Sequence, residues 1–262
     1  MFFFRANTGV PNFGDELSPE VVTFVTGRAV VRTGRMTCDL AGIGSILDRY
    51  LAPKGRLVTA VRAAVGRPVR VWGSGIIKAR DKTGHSLVPL ALRGVLTRDI
   101  LGAPLTTPLG DPGLFAAAML GRQTVRRDIG IVPHYINKSD PMVAALAKLP
   151  GVRILDVERG GTEVCRDIGQ CAVILSSSLH GLIVADAFGI PNWRLGFKAQ
   201  LKGGDFKFLD YASALGRSKI SARVLTRPEE ALDLARRDGD FAYQGRVDAL
   251  CGGLERALKA VF

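Results

Sequence analysis

Ser176-Ser177-Ser178-Leu179-His180-Gly181-Leu182-Ile183-Val184-Ala185-Asp186-Ala187-Phe188-Gly189-Ile190-Pro191 joins two different residue patterns. Before it, Cys171–Leu175 is an apolar run of strand length. From His180 the pattern is helical to about Phe188, where Gly189 and Pro191 stop it. Polar, titratable residues therefore stand where a buried strand gives way to a helix. In open α/β folds ligands lie beyond the carboxyl ends of the strands, where helix N-terminal amides favour anions. His180 can meet a phosphate or carboxylate there, although a lone histidine could equally cap its helix. The chain has only three histidines, and His134 follows another apolar strand in Ile131-Val132-Pro133-His134-Tyr135. Two of three at strand ends favour a site.

Working outward, strands at about 129–132, 152–155, 172–175 and 192–195 alternate with helices at about 140–149, 162–169 and 180–188. Such alternation makes βαβ units and a parallel sheet covered on both faces. Helical segments near 228–237 and 243–260 close the chain. In the first half, a strand at Phe2–Arg5 leads to Asn12-Phe13-Gly14-Asp15-Glu16, and Ser18-Pro19 reads as an N-cap followed by the first helical residue. Leu40–Ile43 and Val69–Trp72 read as strands, each followed by Gly and Ser. The polar, basic stretch Gly121–Arg127 is taken as the join of two similar α/β halves, 1–122 and 123–262, without an internal repeat.

The 262 residues suffice for one large or two ordinary domains, and 47% hydrophobic with 23% charged residues is a globular balance. No apolar run approaches the ~20 residues that cross a bilayer. Met1-Phe2-Phe3-Phe4-Arg5 is too short for a signal peptide, so a cytoplasmic protein is expected. Cys38, Cys165, Cys171 and Cys251 are scattered, which predicts reduced thiols and no metal cluster. The net charge of +12 favours anionic partners. The basic residues are spread along the chain, without a block of five or six and without a nucleic-acid motif. Most of the charge is read as solvated surface, with a minority lining an anion-binding cleft; no nucleic acid is expected.

Gly73-Ser74-Gly75 would let backbone amides approach a phosphate, although a tight turn needs glycine anyway. The dinucleotide pattern is not completed, since position 78 is Lys, and no Walker A sequence occurs. Arg93 and Arg98 follow the apolar run Leu87–Leu92; they suit bidentate anion recognition, or are two surface arginines near a helix start. Asp111 reads as the N-cap of a helix over Leu114–Leu120. Asp15 and Glu16 lie in a loop where either could accept a proton from a substrate hydroxyl, or they decorate a helix N-terminus. Gly203–Phe208 reads as a mobile loop in a lid position.

In this order, Asn12–Asp15, Gly42–Leu47, Gly73–Gly75, Arg93-Gly94 with Leu96-Thr97, Asp111–Leu114, Pro133-His134, and Ser178–Gly181 with Ala185, Gly189, Ile190 and Pro191 resemble the polysaccharide pyruvyl transferase family. Gly204–Phe208 with Asp210-Tyr211 resembles its bacterial exopolysaccharide branch. The series spans about residues 12 to 211. The resemblance implies two Rossmann-like halves facing a cleft, similar to GT-B glycosyltransferases. It also implies transfer of the enolpyruvyl unit of phosphoenolpyruvate to two hydroxyls of one sugar, giving a cyclic pyruvate ketal and phosphate without nucleotide or cofactor. The acceptor would be an exopolysaccharide saccharide or its lipid-linked precursor. In the latter case basic residues would hold the enzyme at the anionic inner leaflet, and helix 243–260 with Arg246, Arg256 and Lys259 is the place to look.

Related branches carry an arginine just before the Leu-His pair, where this chain has Ser178. Arg93, Arg98, Lys198 and Lys207 are the candidates to hold the donor instead. On this reading His180 protonates the enol methylene, His134 can trade roles with it, and Asp15 is the acceptor-side base. Asn12, Gly14, Gly73, Ser74, Gly75, Ser177 and Ser178 complete the substrate-binding set, with no metal. Two other readings stay open. One is a GT-B-like glycosyltransferase using a nucleotide sugar, for which no acidic stretch near a donor ribose is found. The other is a non-catalytic module for nucleic acid or another polyanion, whose affinity would fall steeply with salt. The oligomeric state is left open.

Overall fold

Every strand pair among the described residues is parallel, as the alternating pattern requires. The computed structural model describes residues 1–2, 11–124, 128–217, 220–237 and 243–262. In chain order the elements are α1 (Phe13–Thr26), β1 (Leu40–Ala41), α2 (Asp48–Leu51), α3 (Pro53–Ala64), β2 (Arg70–Ser74), β3 (Val88–Leu92) and α4 (Val95–Leu101). A 3-10 turn over Pro112–Phe115 leads into α5 (Ala116–Leu120). Then come β4 (Ile129–Val132), a 3-10 turn at Tyr135–Asn137, α6 (Pro141–Leu146), β5 (Val152–Ile154), α7 (Gly161–Gly169), β6 (Val173–Ser176) and α8 (Leu179–Ala187). The chain closes with β7 (Asn192–Gly196), α9 (Phe206–Ala214), β8 (Arg223–Val224), α10 (Glu230–Ala235) and α11 (Gln244–Lys259).

These strands make two sheets in Rossmann-like halves, one ordered β1-β2-β3 and the other β5-β4-β6-β7-β8. In the larger sheet the strand order reverses between β4 and β6, which pair with Val132 opposite Ser176. The connections on either side of such a reversal leave in opposite directions and open a crevice beyond the strand ends. The halves share apolar surface. Phe13, Leu17 and Val21 of α1 join a core with Trp72 of the first sheet, Val132 and Ile174 of the second, and Ile168 of α7. Trp72 donates its indole N–H to the Leu254 carbonyl of α11 at 2.9 Å, satisfying a fully buried donor.

Several boundaries differ from the sequence reading. Helix α1 begins at Phe13 behind Asn12, so Asp15 and Glu16 stand in its first turn rather than in a loop. Ser18 does not cap: its Oγ accepts the Ile43 N–H at 2.9 Å, and Pro19 sits inside the helix, costing it one i→i−4 bond. Strand β1 ends at Ala41, before the left-handed Gly44 (φ 107°). The Asp111 cap opens a 3-10 turn rather than an α-helix. The supposed lid at 203–208 instead leads into α9. Phe208, Tyr211, Ala212 and Leu215, spaced as one helical face, are buried there. Phe2 bridges to Ala41, while residues 3–5 of the expected first strand lie outside the described residues.

Candidate active site

Ser176, which ends β6, and the two serines after it mostly build the turn that presents α8. Ser176 Oγ accepts the Ser178 N–H at 3.0 Å and lies within hydrogen-bond reach of the Val132 and Ser178 carbonyls. Ser177 Oγ donates to Asn137 Oδ1 at 3.0 Å and accepts the His134 N–H at 2.9 Å. The ends of β4 and β6 are thereby tied together at the strand-order reversal. Ser178 is buried as the N-cap of α8, with extended backbone and no side-chain cap bond.

His180, in the first turn of α8, lies against the N-terminus of α1. A Cβ on Gly14 would fall 1.9 Å from His180 Nδ1, so glycine is required for the imidazole to sit there. Phe13 meets the ring edge-on at 6.2 Å. Among the described residues the buried Nε2 has no hydrogen-bond partner, nor has Asp111 Oδ2 at 4.0 Å from it; the other Asp111 oxygen accepts the Gly113 N–H at 2.9 Å. Asp15, also buried, accepts from Asn12 Nδ2 at 2.9 Å.

The charges here are shifted as burial without a counterion shifts them. Desolvation, then the positive charges of Lys207 and Arg93, push His180 down to about 3. Burial and Lys207 push His134 down to about 3. Burial raises Asp15 to about 7, against the Asn12 hydrogen bond, and raises Asp111 to about 6, against the Gly113 amide. Lys207 is lowered to about 8 by burial and by repulsion from Arg93 and Arg194. With its imidazole neutral, the 4.0 Å contact of His180 with Asp111 is not an ion pair. Opposed shifts in one desolvated cluster are characteristic of functional sites.

Asp111 gives a test of this electrostatic picture. Its folded-state pKa lies above the unfolded value of 3.8, so the stability it contributes is present below about 4 and lost as pH rises through about 6. Asp111→Asn keeps an acceptor for Gly113 and removes the buried charge. Thermal melts should show it more stable than the parent at pH 8, by about 2–3 kcal/mol, and no more stable at pH 4. Equal melting curves at both pH values would refute the shift.

The other sequence candidates are distributed unevenly. Arg93 is fully buried and engaged by the protein. Its Nε and Nη2 each lie 3.0 Å from Asp210 Oδ2, Nη1 donates to Ser45 Oγ at 2.6 Å, and Nη2 donates to the Ile76 carbonyl at 2.7 Å. The Gly73-Ser74-Gly75 turn is occupied by the chain itself. A Cβ on Gly75 would lie 2.3 Å from Arg93 Cζ, one on Gly73 (φ 72°) would lie 2.1 Å from Pro112 Cδ, and Ser74 Oγ donates to the Gly44 carbonyl at 2.8 Å. Arg98 pairs with Asp99 and Lys198 is exposed beyond β7, neither in contact with the cluster among the described residues. Lys207 is the candidate cation that joins it, brought in because Phe208 and Tyr211 anchor α9.

Sequence reasoning missed Asp111 as more than a cap, and missed Asp210 and Arg194. Arg194 stacks 3.6 Å over the Phe208 ring and donates to the Ile220 carbonyl at 3.1 Å. The signal for α9 was the spacing 208, 211, 212, 215; no local signal marks a carboxylate whose partner is over a hundred residues away. Among the described residues no group of three His, Cys, Asp or Glu could hold a metal ion, and no helix is long and apolar enough to cross a membrane.

Fold and site together define a parallel α/β protein with titratable groups gathered where two sets of strand ends meet. The family model for polysaccharide pyruvyl transferases matches residues 60–196, just over half of the chain, and the chain belongs to that family of transferases. It is similar to the succinoglycan biosynthesis protein ExoV of Rhizobium meliloti (strain 1021), 27% identical over 230 residues covering 86% of this chain and 69% of that one. It is also similar to the uncharacterized protein L143 of Acanthamoeba polyphaga mimivirus, 31% identical over 114 residues, 41% of this chain and 40% of that one. The matched segment contains His134 and His180, while Asp15 and Lys207 lie outside it.

Proposed function

We propose that the protein transfers the enolpyruvyl group of phosphoenolpyruvate to two hydroxyls of one sugar, forming a pyruvate ketal and releasing phosphate. The acceptor is a saccharide of an exopolysaccharide or its lipid-linked precursor, as the similarity to a succinoglycan biosynthesis protein suggests. The observation that carries this reading is a desolvated cluster with the proton of Lys207 weakly held and two buried polar atoms, His180 Nε2 and Asp111 Oδ2, without partners among the described residues. A trianionic donor would supply the negative charge that such a site lacks. The proposed halves, 1–122 and 123–262, would embrace it as in GT-B enzymes.

The protonation states exchange the roles read from the sequence. Burial beside Lys207 and Arg93 keeps His180 without a proton, and burial keeps one on Asp15. Neutral His180 takes the proton of the first sugar hydroxyl as its oxygen adds to C2 of the enol. Asp15 gives its proton to the C3 methylene, which becomes a methyl group. The C2–O bond to phosphate then breaks with its electron pair on oxygen, and protonated His180 returns its proton to the departing phosphate. The second hydroxyl adds to the cationic C2 and its proton restores Asp15, so both groups end as they began. An entering anion raises both pKa values, which strengthens His180 as a base and keeps Asp15 protonated until the methylene takes its proton. His134 turns Nδ1 to the Ile136 amide, so its neutral ring offers an Nε2–H to a donor oxygen. Lys207 holds the donor charge.

The test is incubation with phosphoenolpyruvate and a panel of aryl hexosides, following phosphate release and the mass of the sugar. Phosphate matched by one pyruvylidene unit on the sugar is expected. Absence of phosphoenolpyruvate binding together with nucleotide-sugar turnover would overturn the proposal.

A further inference from the structure

Helix α3 is packed inside out. Only Gly55 and Thr59 of its residues are buried, while Leu57 is 66% exposed, Val61 56%, and Val65 at its C-cap 65%. At 100° per residue, Ala60, Ala64, Leu57 and Val61 form one continuous outward stripe opposite the buried side. Lys54 and Arg56 are exposed beside this stripe and Arg67 just past its end, and no carboxylate pairs with these three among the described residues. Arg62, by contrast, faces Asp39 at 3.5 Å and donates to the Met36 carbonyl. A cavity of about 480 Å³ opens along the stripe, lined by Arg56 and Leu57 with Gly84, His85 and Ser86. His85 is already satisfied there, Nδ1 by the Leu87 amide and Nε2 at the Leu101 carbonyl, which leaves Arg56 as the charged group of the recess.

The chain around this helix is equally one-sided. Although Lys and Arg occur along the whole chain, residues 49–80 hold eight of them and no Asp or Glu; Asp48, which faces Arg80 at 3.9 Å, and Asp81 bound this segment. The helix singled out in the sequence is a poorer candidate. In α11 Val247, Leu254 and Leu258 are buried, Asp248 and Glu255 offset the basic residues, and Lys259 pairs with Glu255.

We propose that α3 is the face by which this protein lies on an anionic lipid surface, Leu57, Val61 and Val65 entering the headgroup boundary while Lys54, Arg56 and Arg67 meet lipid phosphates. An apolar stripe rimmed by unpaired cations, with no acid on the helix, is complementary to such a surface. A second copy of this basic face would instead set like charges opposite one another.

Vesicle flotation tests it without reference to turnover. The protein should float with vesicles of equal parts phosphatidylcholine and phosphatidylglycerol, and not with phosphatidylcholine alone. Leu57→Asp with Val61→Asp should lower the affinity at least about tenfold, and Lys54→Gln, Arg56→Gln and Arg67→Gln together about 100-fold, at roughly fivefold per charge. Leu57→Trp, which keeps the face apolar, should blue-shift in fluorescence on adding the anionic vesicles. Failure to float, charge-dependent binding indifferent to Leu57 and Val61, an unshifted Leu57→Trp spectrum, or an oligomer dispersed by the Asp variants would each overturn the assignment.

Discussion

Asp15→Asn is expected to lower turnover about 100- to 10,000-fold, the range for loss of a positioned acid, while leaving the protein more stable above pH 7. Asparagine occupies the same volume and can still accept from Asn12 Nδ2, so the first turn of α1 should be undisturbed. What is lost is the proton that a buried carboxyl group holds up to about pH 7. In the parent enzyme kcat/KM should therefore fall as pH rises through about 7, and the variant's residual activity should lack that limb.

Stability runs the other way. The folded pKa of Asp15 exceeds its unfolded value of 3.8, so its contribution is present below about 4 and lost as pH rises through about 7. Removing the charge should recover on the order of 3 kcal/mol at pH 8. His180→Ala should lose turnover comparably. Added imidazole should restore part of it, more as pH rises through the imidazole pKa, because the missing group acts first as a base. Rescue that weakens with rising pH would return the acid role to His180, and near-normal turnover in Asp15→Asn would remove Asp15 from the chemistry.

Arg93→Ala is expected to destabilise the protein by about 3–5 kcal/mol, the usual cost of stripping one partner from a buried ion pair. At this chain length that is a melting temperature lower by roughly 10 °C or more. Arg93 directly follows β3 of the first sheet and Asp210 stands in α9. Asp210 also accepts the Thr97 N–H at 2.8 Å and the Thr97 hydroxyl at 2.7 Å. A Cβ on Gly94 would fall 1.8 Å from the Asp210 carbonyl oxygen, so the backbone of the β3–α4 turn is in direct contact with α9. Deleting the guanidinium leaves a carboxylate in this packing with its main cation gone. Arg93→Met combined with Asp210→Leu should be closer to the parent than either single change, since paired apolar groups remove both charges. Thermal melts and phosphoenolpyruvate titration separate the two roles. Unchanged stability with weakened donor binding would make Arg93 a donor-gripping residue after all.

Lys207 and Arg93 mark the boundary between what local sequence carries and what it does not. The alternation of apolar runs and helical stretches sets the parallel sheets, because hydrophobic periodicity is a local property. The place of the candidate site is legible too, since His134 and His180 follow strands β4 and β6 and strand ends bind ligands in this architecture. The stripe at Phe208, Tyr211, Ala212 and Leu215 was equally legible, and the lid reading failed by weighing two glycines above it. Tertiary packing alone chose among the cations. It buried Lys207 beside the histidines, committed Arg93 to a carboxylate 117 positions away, and left Arg98 and Lys198 outside. It likewise turned the apolar stripe of α3 toward solvent, and by burial it pushed His180 and His134 down and Asp15 and Asp111 up, toward their neutral forms. Burial and the distances between charges decide such outcomes, and both arise from residues remote in sequence, so neither is encoded in any short stretch of chain.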